Sequence, residues 1–451
     1  MARTNITRKG LNRTTTHEGG RAIKHNAKLQ LERSTLACML WEDTFYEDGE
    51  SIVDRINTLC NENTVADVVD IALRAKQDMH LRHAPLWLVK NLLPRAEQAH
   101  RSGIDLSSTI NTLITRPDDM TELLSMYWKD GKRPLSAQLK KGLALAFPKF
   151  DAYQLAKYNR QEAVKLRDVL FLSHAKPKGK EQEELFKALV NGTLPVPDTW
   201  EVAISAAKGN PEQTLAEWTR LLEEGKLGCL ALLRNLRNMR QAGIPISYLK
   251  KVIRKRRDWP KISPFQFVQA FDAAPELMDE LEAAMLKSCE GMPKLPGSTL
   301  LLIDTSGSMD APLSKKGTNS RVNTAAALGI VIREVCEDPA IVMFGTESLR
   351  LPPYRGFALR DFLLNTPTRM NVGYGTETGK ALRKHKSVEY DRVIVVTDEQ
   401  SWDELPPAKD NSYIINVGAD KPSIAYGHWT SLTGWSNNIL NYIAKKELPN
   451  G

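Results

Sequence analysis

The stretch "LLIDTSGSMD", Leu301 to Asp310, places an acid and two hydroxyl residues at alternate positions directly after an apolar run. A short run that is apolar throughout is typical of a strand buried on both faces of a sheet. Asp304, Ser306 and Ser308 follow in the loop that leaves this strand, so alternate side chains can turn toward one point. Gly307 permits a tight turn between the two hydroxyls. The stretch therefore predicts a buried strand that ends in a cluster of oxygen atoms.

The sequence around this stretch alternates between strands and helices. A junction rich in proline and glycine, Pro293 to Gly297, precedes it. The expected strands are "STLLLID", "PAIVMFG", "DRVIVVTDE" and "NSYIINVG", and the expected helices are "RVNTAAALGIVIREVCE" and "TETGKALRKHK". Such alternation predicts βαβ units and a parallel sheet covered on both faces, with ligand sites at the carboxyl ends of the strands.

Residues up to about Glu290 follow a different pattern. Segments such as "TVADVVDIALRAKQDMHLRHAPLWLVKNLL" and "TLAEWTRLLEEGKLGCLALLRNLRNMRQAG" place apolar residues three and four positions apart, which predicts helices. Turn residues separate the helices, as in "RSGIDL", "DGKRPL" and "KGNPEQ". Paired helices with short connections favour an irregular α-solenoid, and a plain helical bundle fits the pattern as well. The predicted fold class is multidomain, α-helical first and α/β second.

The composition sets limits on the class of protein. With 451 residues the chain is long enough for at least two domains, and 42% hydrophobic content is ordinary for a soluble globular protein. No apolar run reaches the roughly 18 residues that a membrane span needs. The five scattered cysteines include no Cys-x-x-Cys, which favours a reducing compartment. The basic N-terminus lacks the apolar centre of a secretory signal, so we expect a cytoplasmic protein, with a transit peptide as the alternative.

The net charge of +8 belongs mainly to the first two-thirds of the chain. From Gly291 to Gly451, 18 basic residues stand against 17 acids, a net of +1. Subtraction from the totals of 62 and 54 leaves 44 and 37 for the first 290 residues, a net of +7. A basic surface there suggests nucleic acid or another polyanion as a partner.

The oxygen cluster after the apolar strand gains two members from later strand ends. These are Thr376 in "VGYGTETGKAL" and Asp398 in "VIVVTDEQ". Hard cations such as Mg²⁺ take oxygen ligands in near-octahedral geometry, which predicts a metal site at this edge of the sheet. The alternative is an ordinary turn with an Asp cap. Asp-x-Ser-x-Ser alone is a weak pattern, and its combination with two further strand ends makes it specific.

This constellation resembles the metal-ion-dependent adhesion site (MIDAS) of von Willebrand factor A domains, over roughly Ser298 to Gly451. The resemblance implies a Rossmann-like domain and a bound Mg²⁺ or other divalent cation. It implies as metal ligands Asp304, Ser306, Ser308, Thr376 and Asp398, with Thr378 as the alternative threonine. Such a site keeps one coordination position for a partner's carboxylate or for water. Because no nucleophile, His or general base stands beside it, we expect binding and not hydrolysis, so no enzyme.

The segment from Leu155 to Lys180, "LAKYNRQEAVKLRDVLFLSHAKPKGK", is the most informative basic segment of the helical region. It interleaves cations with Tyr158 and Phe171. Lysine and arginine neutralise phosphates, and a His near the backbone can donate to a phosphate or stack on a base. The alternative is a solvated outer face, since "VKLRDVLFLSHAK" also carries a helical apolar stripe.

Several blocks in the helical region are similar to the TROVE module of Ro autoantigen proteins and their bacterial and phage relatives. They are "GKRPLSAQLKKGLALAFPKFDAYQLAKY", "KYNRQEAVKLRDVLFLSHAKP", "LGCLALLRNLRNM" and "ISPFQFVQAF". The resemblance implies a ring of HEAT-like helical repeats that is closed by a von Willebrand A domain. The domains expected on this basis are a basic tail over 1–25, a TROVE domain over 26–290 and the A-like domain over 298–451.

The TROVE resemblance also implies a ribonucleoprotein that binds small noncoding Y RNAs outside the ring and the ends of misfolded RNAs in its hole, as in RNA quality control. It implies Lys157 and His174 as RNA-contacting residues. The sequence departs from the family at Ala163, which stands near the place where the family has an aromatic. Four neighbours are added from their charge alone, Arg160, Lys165, Arg167 and Lys176. A second basic run, Lys250 to Arg257, is either a solvated helix end or a polyanion surface.

Two other functions fit parts of the sequence. One is a protein-interaction adaptor that uses a helical solenoid and a metal-dependent carboxylate site, without RNA. The other is an accessory subunit of a chelatase or ATPase, although the chain has no Gly-x-x-x-x-Gly-Lys-Ser/Thr phosphate loop. The partners expected from the leading hypothesis are structured noncoding RNA, single-stranded or misfolded RNA ends, and a ribonuclease or another protein that supplies a carboxylate to the metal. We expect no membrane association and a monomer.

Overall fold

A computed structural model describes residues 13–15, 21–24, 26–37, 49–78, 80–160, 162–259, 262, 264–313, 319–385, 389–418, 424–425, 428–434 and 438–447. The chain divides into two compact units. The first, called here the sheet unit, comprises Met1–Glu50 and Trp218–Gly451. The second, called the helical unit, comprises Ser51–Glu217.

The helical unit consists of short helices joined by turns. They are α2 (Gly49–Glu62), α3 (Val65–Gln77), α4 (His83–Leu92), α5 (Ala96–Arg101), α6 (Leu106–Leu113), α7 (Pro117–Tyr127), α8 (Ala137–Ala146), α9 (Ala152–Tyr158), α10 (Leu166–Ser173), α11 (Lys180–Asn191) and α12 (Trp200–Ala206). Helices close in sequence pack together, with α3 against α4, α6 against α8 and α7 against α10. Apolar residues three and four positions apart, such as Leu86, Val89 and Leu93 of the α4 region, form the buried faces.

The ends of these helices are fixed by side chains that bond to free backbone groups. Thr64 Oγ1 accepts a hydrogen bond from the Asp67 N–H at the start of α3, 3.1 Å long. At the start of α9, Asp151 and Gln154 cap each other's backbone N–H reciprocally. The buried carboxylate of Asp119 accepts the N–H groups of Thr115 and Arg116 before α7 and pairs with Lys76 of α3. Local sequence therefore sets where each helix begins.

The sheet unit contains the remaining helices and all strands of the described residues. The helices are α1 (Ala27–Ala37), α13 (Pro211–Glu223, which crosses into the unit), α14 (Cys229–Gln241), α15 (Ile246–Lys255), α16 (Pro264–Ala273), α17 (Met278–Ser288), α18 (Arg321–Val335), α19 (Gly356–Leu364), α20 (Thr366–Val372), α21 (Thr378–His385) and α22 (Asn438–Glu447). The strands are β1 (Arg13–Thr15), β2 (Arg21–Lys24), β3 (Leu295–Asp304), β4 (Cys336–Phe344), β5 (Ser348–Arg350), β6 (Arg392–Thr397), β7 (Ser412–Asn416), β8 (Ile424–Ala425) and β9 (Thr430–Thr433).

The main sheet has six strands in the order β5-β4-β3-β6-β7-β9. The strand β3 lies at its centre, where Leu301 pairs with Ile341 of β4 and Ile394 of β6 in parallel registers. The prediction of a parallel sheet is wrong at one edge, because β5 runs antiparallel to β4. Gly345 to Glu347 form too short a connection for a parallel crossover, and a short turn joins only antiparallel strands. A second sheet pairs β1 with β2 and β2 with β8.

The strands and helices predicted around "LLIDTSGSMD" are present, with shifts in their ends. The helix expected over "RVNTAAALGIVIREVCE" ends at Val335, and Cys336 and Glu337 belong to β4, because Cys336 pairs with Leu295 of β3. Strand β3 begins at Leu295, inside the stretch expected as a junction, and helix α21 begins at Thr378, two residues after the threonine expected to open it. Four cysteines, Cys60, Cys229, Cys289 and Cys336, are buried free thiols, and Cys38 lies outside the described residues. Burial raises the pKa of the Cys60 thiol to about 12, which suits an inert apolar residue.

The structure bears on one other expectation, the absence of a membrane span. Among the described residues, none of the helices combines the length and apolar content that crossing a bilayer requires. The expected domain boundaries at 26–290 and 298–451 stay a prediction.

Candidate functional site

Four of the five predicted metal residues lie at or just after the carboxyl ends of two neighbouring strands. The expectation of a strand end is wrong for Thr376, which lies in the loop between α20 and α21. Asp304 is the last residue of β3, and Asp398 directly follows β6, which pairs with β3. Asp304, Ser306, Thr376 and Asp398 are buried, whereas Ser308 is half-buried. The hydroxyl oxygens of Ser306 and Ser308 lie 3.3 Å apart, so the loop brings both to one side. The name metal edge is used below for these five residues.

The Asp304 carboxylate is held by hydrogen bonds on both oxygens. Its Oδ1 accepts the N–H of Ser306 at 2.8 Å, and its Oδ2 accepts the hydroxyl of Thr397 at 2.6 Å. Burial, together with the nearby negative charge of Asp398, raises the pKa of Asp304 to about 7 despite these bonds. An added positive charge would therefore stabilise the ionised form of Asp304.

Asp398 has a partner on one oxygen only. The Arg321 guanidinium donates to Asp398 Oδ2 at 2.8 Å, and both side chains are buried. Asp398 Oδ1 is buried and, within the described part of the chain, accepts no hydrogen bond. An orphaned carboxylate oxygen near a second buried carboxylate and two hydroxyls fits an oxygen-liganded cation. The described residues contain no cluster of three or more His, Cys, Asp or Glu able to hold a metal, so the hydroxyls would have to contribute.

The loop that carries Thr376 is fixed through its backbone. The carbonyl of Thr376 accepts the N–H of Trp402 at 2.9 Å, and the N–H of Gly375 donates to Thr346 Oγ1 at 3.0 Å. Thr376 and the alternative, Thr378, are both buried. Gly307 does not have the positive φ that its expected turn would need, and its N–H instead donates to the Tyr374 carbonyl at 2.8 Å. This bond directly joins the loop that carries Thr376 to the loop that carries Ser306 and Ser308, called the serine loop below.

Sequence reasoning missed a second buried ion pair beside the metal edge. Arg33 of α1 donates to Glu399, and both side chains are almost fully buried. Asn416 donates to the same Glu399 oxygen at 3.0 Å, and the Glu399 N–H donates to Thr397 Oγ1 at 3.1 Å. Glu399 has φ +65°, an uncommon conformation for a non-glycine residue. Because Thr397 also bonds Asp304, hydrogen bonds connect α1 to the metal edge.

The outer rim of the metal edge is partly apolar. Arg369 fixes both ends of the serine loop, because its Nε donates to the Thr305 carbonyl at 3.2 Å and its Nη1 pairs with Asp310 at 2.6 Å. Met370 and Tyr374, which follow Arg369, are 63% and 46% exposed, and Trp402 is 56% exposed. Tyr374 and Trp402 are bonded through their backbone to Gly307 and Thr376, and Met370 follows Arg369, so another molecule could contact these exposed side chains beside the two loops.

The predicted RNA residues lie on α9, α10 and the turns after them, all in the helical unit. Helices α9 and α10 both pack against α7 and α11. Lys157 is half-buried, with its Nζ 5.9 Å from the ring centre of Tyr153 and 5.8 Å from that of Tyr158. Arg160, Arg167, His174 and Lys176 are exposed, whereas Lys165 is half-buried and precedes α10.

These cations have little acidic compensation inside the protein. Among the described residues, no acid lies within ion-pair distance of Lys157, Arg160, Lys165 or Lys176, and Arg167 has only Asp168 at 3.8 Å. Exposed aromatic rings accompany them, with Tyr153 48% and Phe171 59% exposed. Sequence reasoning overlooked Tyr153, whose place one turn before Lys157 on α9 was the available signal.

The histidine occupies an unusual backbone position. His174 follows α10 with φ 54° and ψ 38°, the left-handed conformation in which glycine is usual, and its N–H donates to the Phe171 carbonyl at 3.2 Å. A non-glycine residue costs energy in this conformation. Its imidazole is exposed at the end of α10.

The second basic run, Lys250 to Arg257, separates into two groups. Lys250 and Arg254 pair with Glu280 of α17, whose side chain is fully buried. Arg256 donates to the carbonyl of Leu227. The other three cations, Lys251, Lys255 and Arg257, are exposed and have no ion pair among the described residues.

The comparisons with known proteins agree with the resemblances drawn from the sequence. The TROVE domain family model matches residues 192–294. Telomerase protein component 1 of Mus musculus is 30% identical over 146 residues, which is 30% of this chain and 5% of that protein. The chain thus spans a small fraction of that relative's length.

The whole fold has a match among solved structures. The crystal structure of the Deinococcus radiodurans RO (RSR) protein covers 94% of this chain and 100% of its own chain, with a TM-score of 0.62 and 16% identity. The predicted fold class, helical repeats followed by a Rossmann-like α/β domain, is confirmed, and the mixed sheet agrees with the von Willebrand factor A resemblance. The family model also supports the TROVE resemblance over residues 192–294. The predicted site residues between Lys157 and Lys176 lie outside the matched range.

Proposed function

We propose that this chain binds RNA and acts as the protein of a ribonucleoprotein, with a binding and not a catalytic role. The observation that carries the proposal is the group of exposed and half-buried cations on α9, α10 and the adjoining turns, which exposed aromatic rings accompany. Among the described residues, only Arg167 of this group lies within ion-pair distance of an acid. Phosphates attract such cations, and unstacked bases can lie against such rings. The TROVE domain of the same chain supports this choice of polyanion.

The proposal extends to the kind of RNA. On the basis of the TROVE resemblance, the RNA is a small structured noncoding RNA of the Y type, together with single-stranded or misfolded RNA ends, and the role is RNA quality control or processing. A cytoplasmic location and a ribonuclease partner belong to the same proposal. Lys157 and His174 would contact the RNA, with Arg160, Lys165, Arg167 and Lys176 as neighbours that neutralise phosphates.

The RNA proposal is tested by replacing Lys157 and His174 with alanine together. Hydrogen bonds to charged groups contribute about 1.5–3 kcal/mol each, so the pair should cost at least about tenfold in affinity for a labelled hairpin RNA. The matched control is Asp304→Asn, which changes a charge in the other unit and should leave RNA affinity as it is. Equal affinity of the double variant and the unchanged protein would overturn the site.

We also propose that the metal edge holds Mg²⁺ or another divalent cation. Asp304, Ser306 and Ser308 would supply ligands from one loop, and Thr376 and Asp398 from two others. A cation held there would supply a positive charge that could bind a partner's carboxylate. Two arginines of this chain position the ligands. Arg369 fixes the serine loop, and Arg321 orients Asp398 by donating to the Oδ2 atom of Asp398.

The metal proposal is tested by calorimetry with Mg²⁺ and Mn²⁺. Asp304→Asn keeps the shape of the side chain and removes its charge, so binding should be lost. Thr378→Val is the comparison for the alternative threonine, and it should bind metal normally if Thr376 is the ligand. Unchanged affinity in Asp304→Asn would contradict the assignment.

A second function is favoured by a separate observation, the exposed Met370, Tyr374 and Trp402 around the metal edge. We propose that this rim contacts a protein that supplies the carboxylate. The adaptor function without RNA differs from the leading proposal in one measurable respect: the chain would show no salt-dependent affinity for RNA.

A further inference from the structure

The turn between α7 and α8 carries an unusual concentration of positive charge. This segment, Trp128 to Ser136 or "WKDGKRPLS", is called the basic loop. It contains Lys129, Lys132 and Arg133, and Lys90 of α4 lies beside it. Sequence patterns mark it as a turn and as the start of one TROVE-like block, and none of its residues belongs to the proposed RNA contacts.

The basic loop is held in one shape by the aromatic residues at the end of α7. The hydroxyl of Tyr127 donates to the Pro134 carbonyl at 2.9 Å, and the indole N–H of Trp128 donates to the Arg133 carbonyl at 2.8 Å. Gly131, with φ +112°, donates its N–H to the Trp128 carbonyl at 2.9 Å. The loop therefore presents its cations from an ordered backbone.

The cations of the loop stand against aromatic faces. The Nζ of Lys90 and that of Lys129 lie 4.2 Å and 5.7 Å from the centre of the same Trp87 ring. The guanidinium of Arg133 lies 4.3 Å from the Tyr127 ring, and Lys132 Nζ lies 5.7 Å from the Trp128 ring. These contacts orient the side chains without neutralising them.

The local charge is poorly balanced. Asp130, 72% exposed and 3.9 Å from Lys90 Nζ, is the one acid within the loop. No acid lies within ion-pair distance of Lys132 or Arg133 in the described part of the chain. Burial lowers the pKa of Lys90, and Arg133 and Lys129 lower it further although Asp130 opposes them. Like charges held together in an ordered loop would be stabilised by a bound anion.

The loop and the proposed RNA contacts lie at opposite ends of one helix. Arg116, directly before α7, stands 4.7 Å from the ring of Tyr158, the neighbour of Lys157. The basic loop begins at Trp128, directly after α7. A helix of 11 residues is about 16 Å long, so the two basic places are about that far apart. One RNA strand could reach both.

We propose that the basic loop, with Lys90, is a second binding site for the backbone phosphates of the same RNA. The inference rests on the proposed RNA-binding function and adds a contact surface to it. Phosphate is the preferred anion because Arg133 offers a planar fork of donors beside compact lysine charges. The rings of Trp128 and Tyr127 support these cations from the protein side.

The test uses the full chain, a labelled oligouridylate long enough to span both places, and binding at several salt concentrations. Lys129→Gln/Lys132→Gln/Arg133→Gln should weaken binding at least about tenfold and make the salt slope shallower by up to about two to three. Asp130→Asn should strengthen binding, because it removes the opposing charge. The matched control is Lys251→Gln/Lys255→Gln/Arg257→Gln, which removes three exposed cations from the sheet unit and should have a smaller effect.

The outcomes separate this inference from the function on which it rests. If the unchanged protein binds no RNA, both the proposed RNA-binding function and the proposed phosphate site in the basic loop are wrong. If it binds RNA and the loop variant binds equally well, or no worse than the control variant, the basic loop is not a phosphate site while the RNA function stands. If the triple variant does not fold, the single variants Lys132→Gln and Asp130→Asn replace it, because both side chains are exposed. Weaker RNA binding by Lys132→Gln together with stronger binding by Asp130→Asn supports the proposed site. Unchanged RNA affinity in both variants overturns it.

Discussion

The metal edge and the basic row on α9 and α10 use charge in opposite ways. At the metal edge, Arg321 and Arg33 are buried and each pairs with a buried acid, Asp398 or Glu399. On α9 and α10 the cations are exposed or half-buried, and Lys157 has no acidic partner among the described residues. Buried charges need a partner of opposite charge inside the fold, whereas exposed charges remain available to a ligand. We therefore expect the first set to determine stability and the second set to determine binding.

The largest effect is expected where the pairing is most buried. Arg33→Met leaves Glu399 without its guanidinium, and breaking a buried pair costs about 3–5 kcal/mol. Urea unfolding followed by tryptophan fluorescence should show that loss. The double variant Arg33→Met/Glu399→Gln should recover part of it, because no unpaired charge remains buried. A loss below about 1 kcal/mol for Arg33→Met would mean that the pair does not hold α1 in place.

Helix α15 allows the comparison within a single element. Lys250→Gln/Arg254→Gln leaves the buried Glu280 unpaired and should lower the free energy of unfolding by about 1–3 kcal/mol. Lys251→Gln/Lys255→Gln removes the same charge at the same spacing from the exposed face, and should change stability by less than about 0.5 kcal/mol. Equal losses in the two variants would break the distinction between paired and exposed cations.

A smaller, pH-dependent effect is expected at His385, a half-buried group between the two extremes. Burial, with Lys384 and Arg350, lowers its pKa below the ordinary 6.5, and its ring bonds Ser348 Oγ at 2.9 Å. The unfolded chain therefore takes up the proton first, so stability should fall as pH drops below about 6.5. Thermal melting from about pH 7.5 to 5.5 checks this. His385→Gln should show a flatter profile, and identical profiles would exclude His385 as the source.

The sequence predicts what is local and leaves out what is distant. Asp304, Ser306 and Ser308 lie within five residues after an apolar strand, and the strand ends bring Asp398 beside them, so pattern and sheet topology suffice. Arg33 and Glu399 stand 366 residues apart, and no pattern connects them. The antiparallel β5 was missed because three residues are too few for a periodic signal.

The basic segments also show that the sequence does not reveal which residues pair across the fold. Their cations are evident in the sequence, but their partners are not. Glu280 follows Arg254 by 26 residues and lies on another helix, so only the fold reveals that Lys250 and Arg254 are paired and that Lys251 and Lys255 are not. The order of the basic loop likewise depends on bonds from Tyr127 and Trp128 that composition cannot indicate.

The salt dependence of RNA binding tests most directly the claim that exposed cations of the helical unit bind phosphates. The logarithm of the association constant for a hairpin RNA should fall linearly with the logarithm of salt concentration between about 50 mM and 200 mM. Lys157→Ala should make that slope shallower by up to about one, since one fewer counterion is released, and His174→Ala should change it less. Asp304→Asn should leave it unchanged. A slope that is the same in Lys157→Ala, or that changes only in Asp304→Asn, would contradict the account.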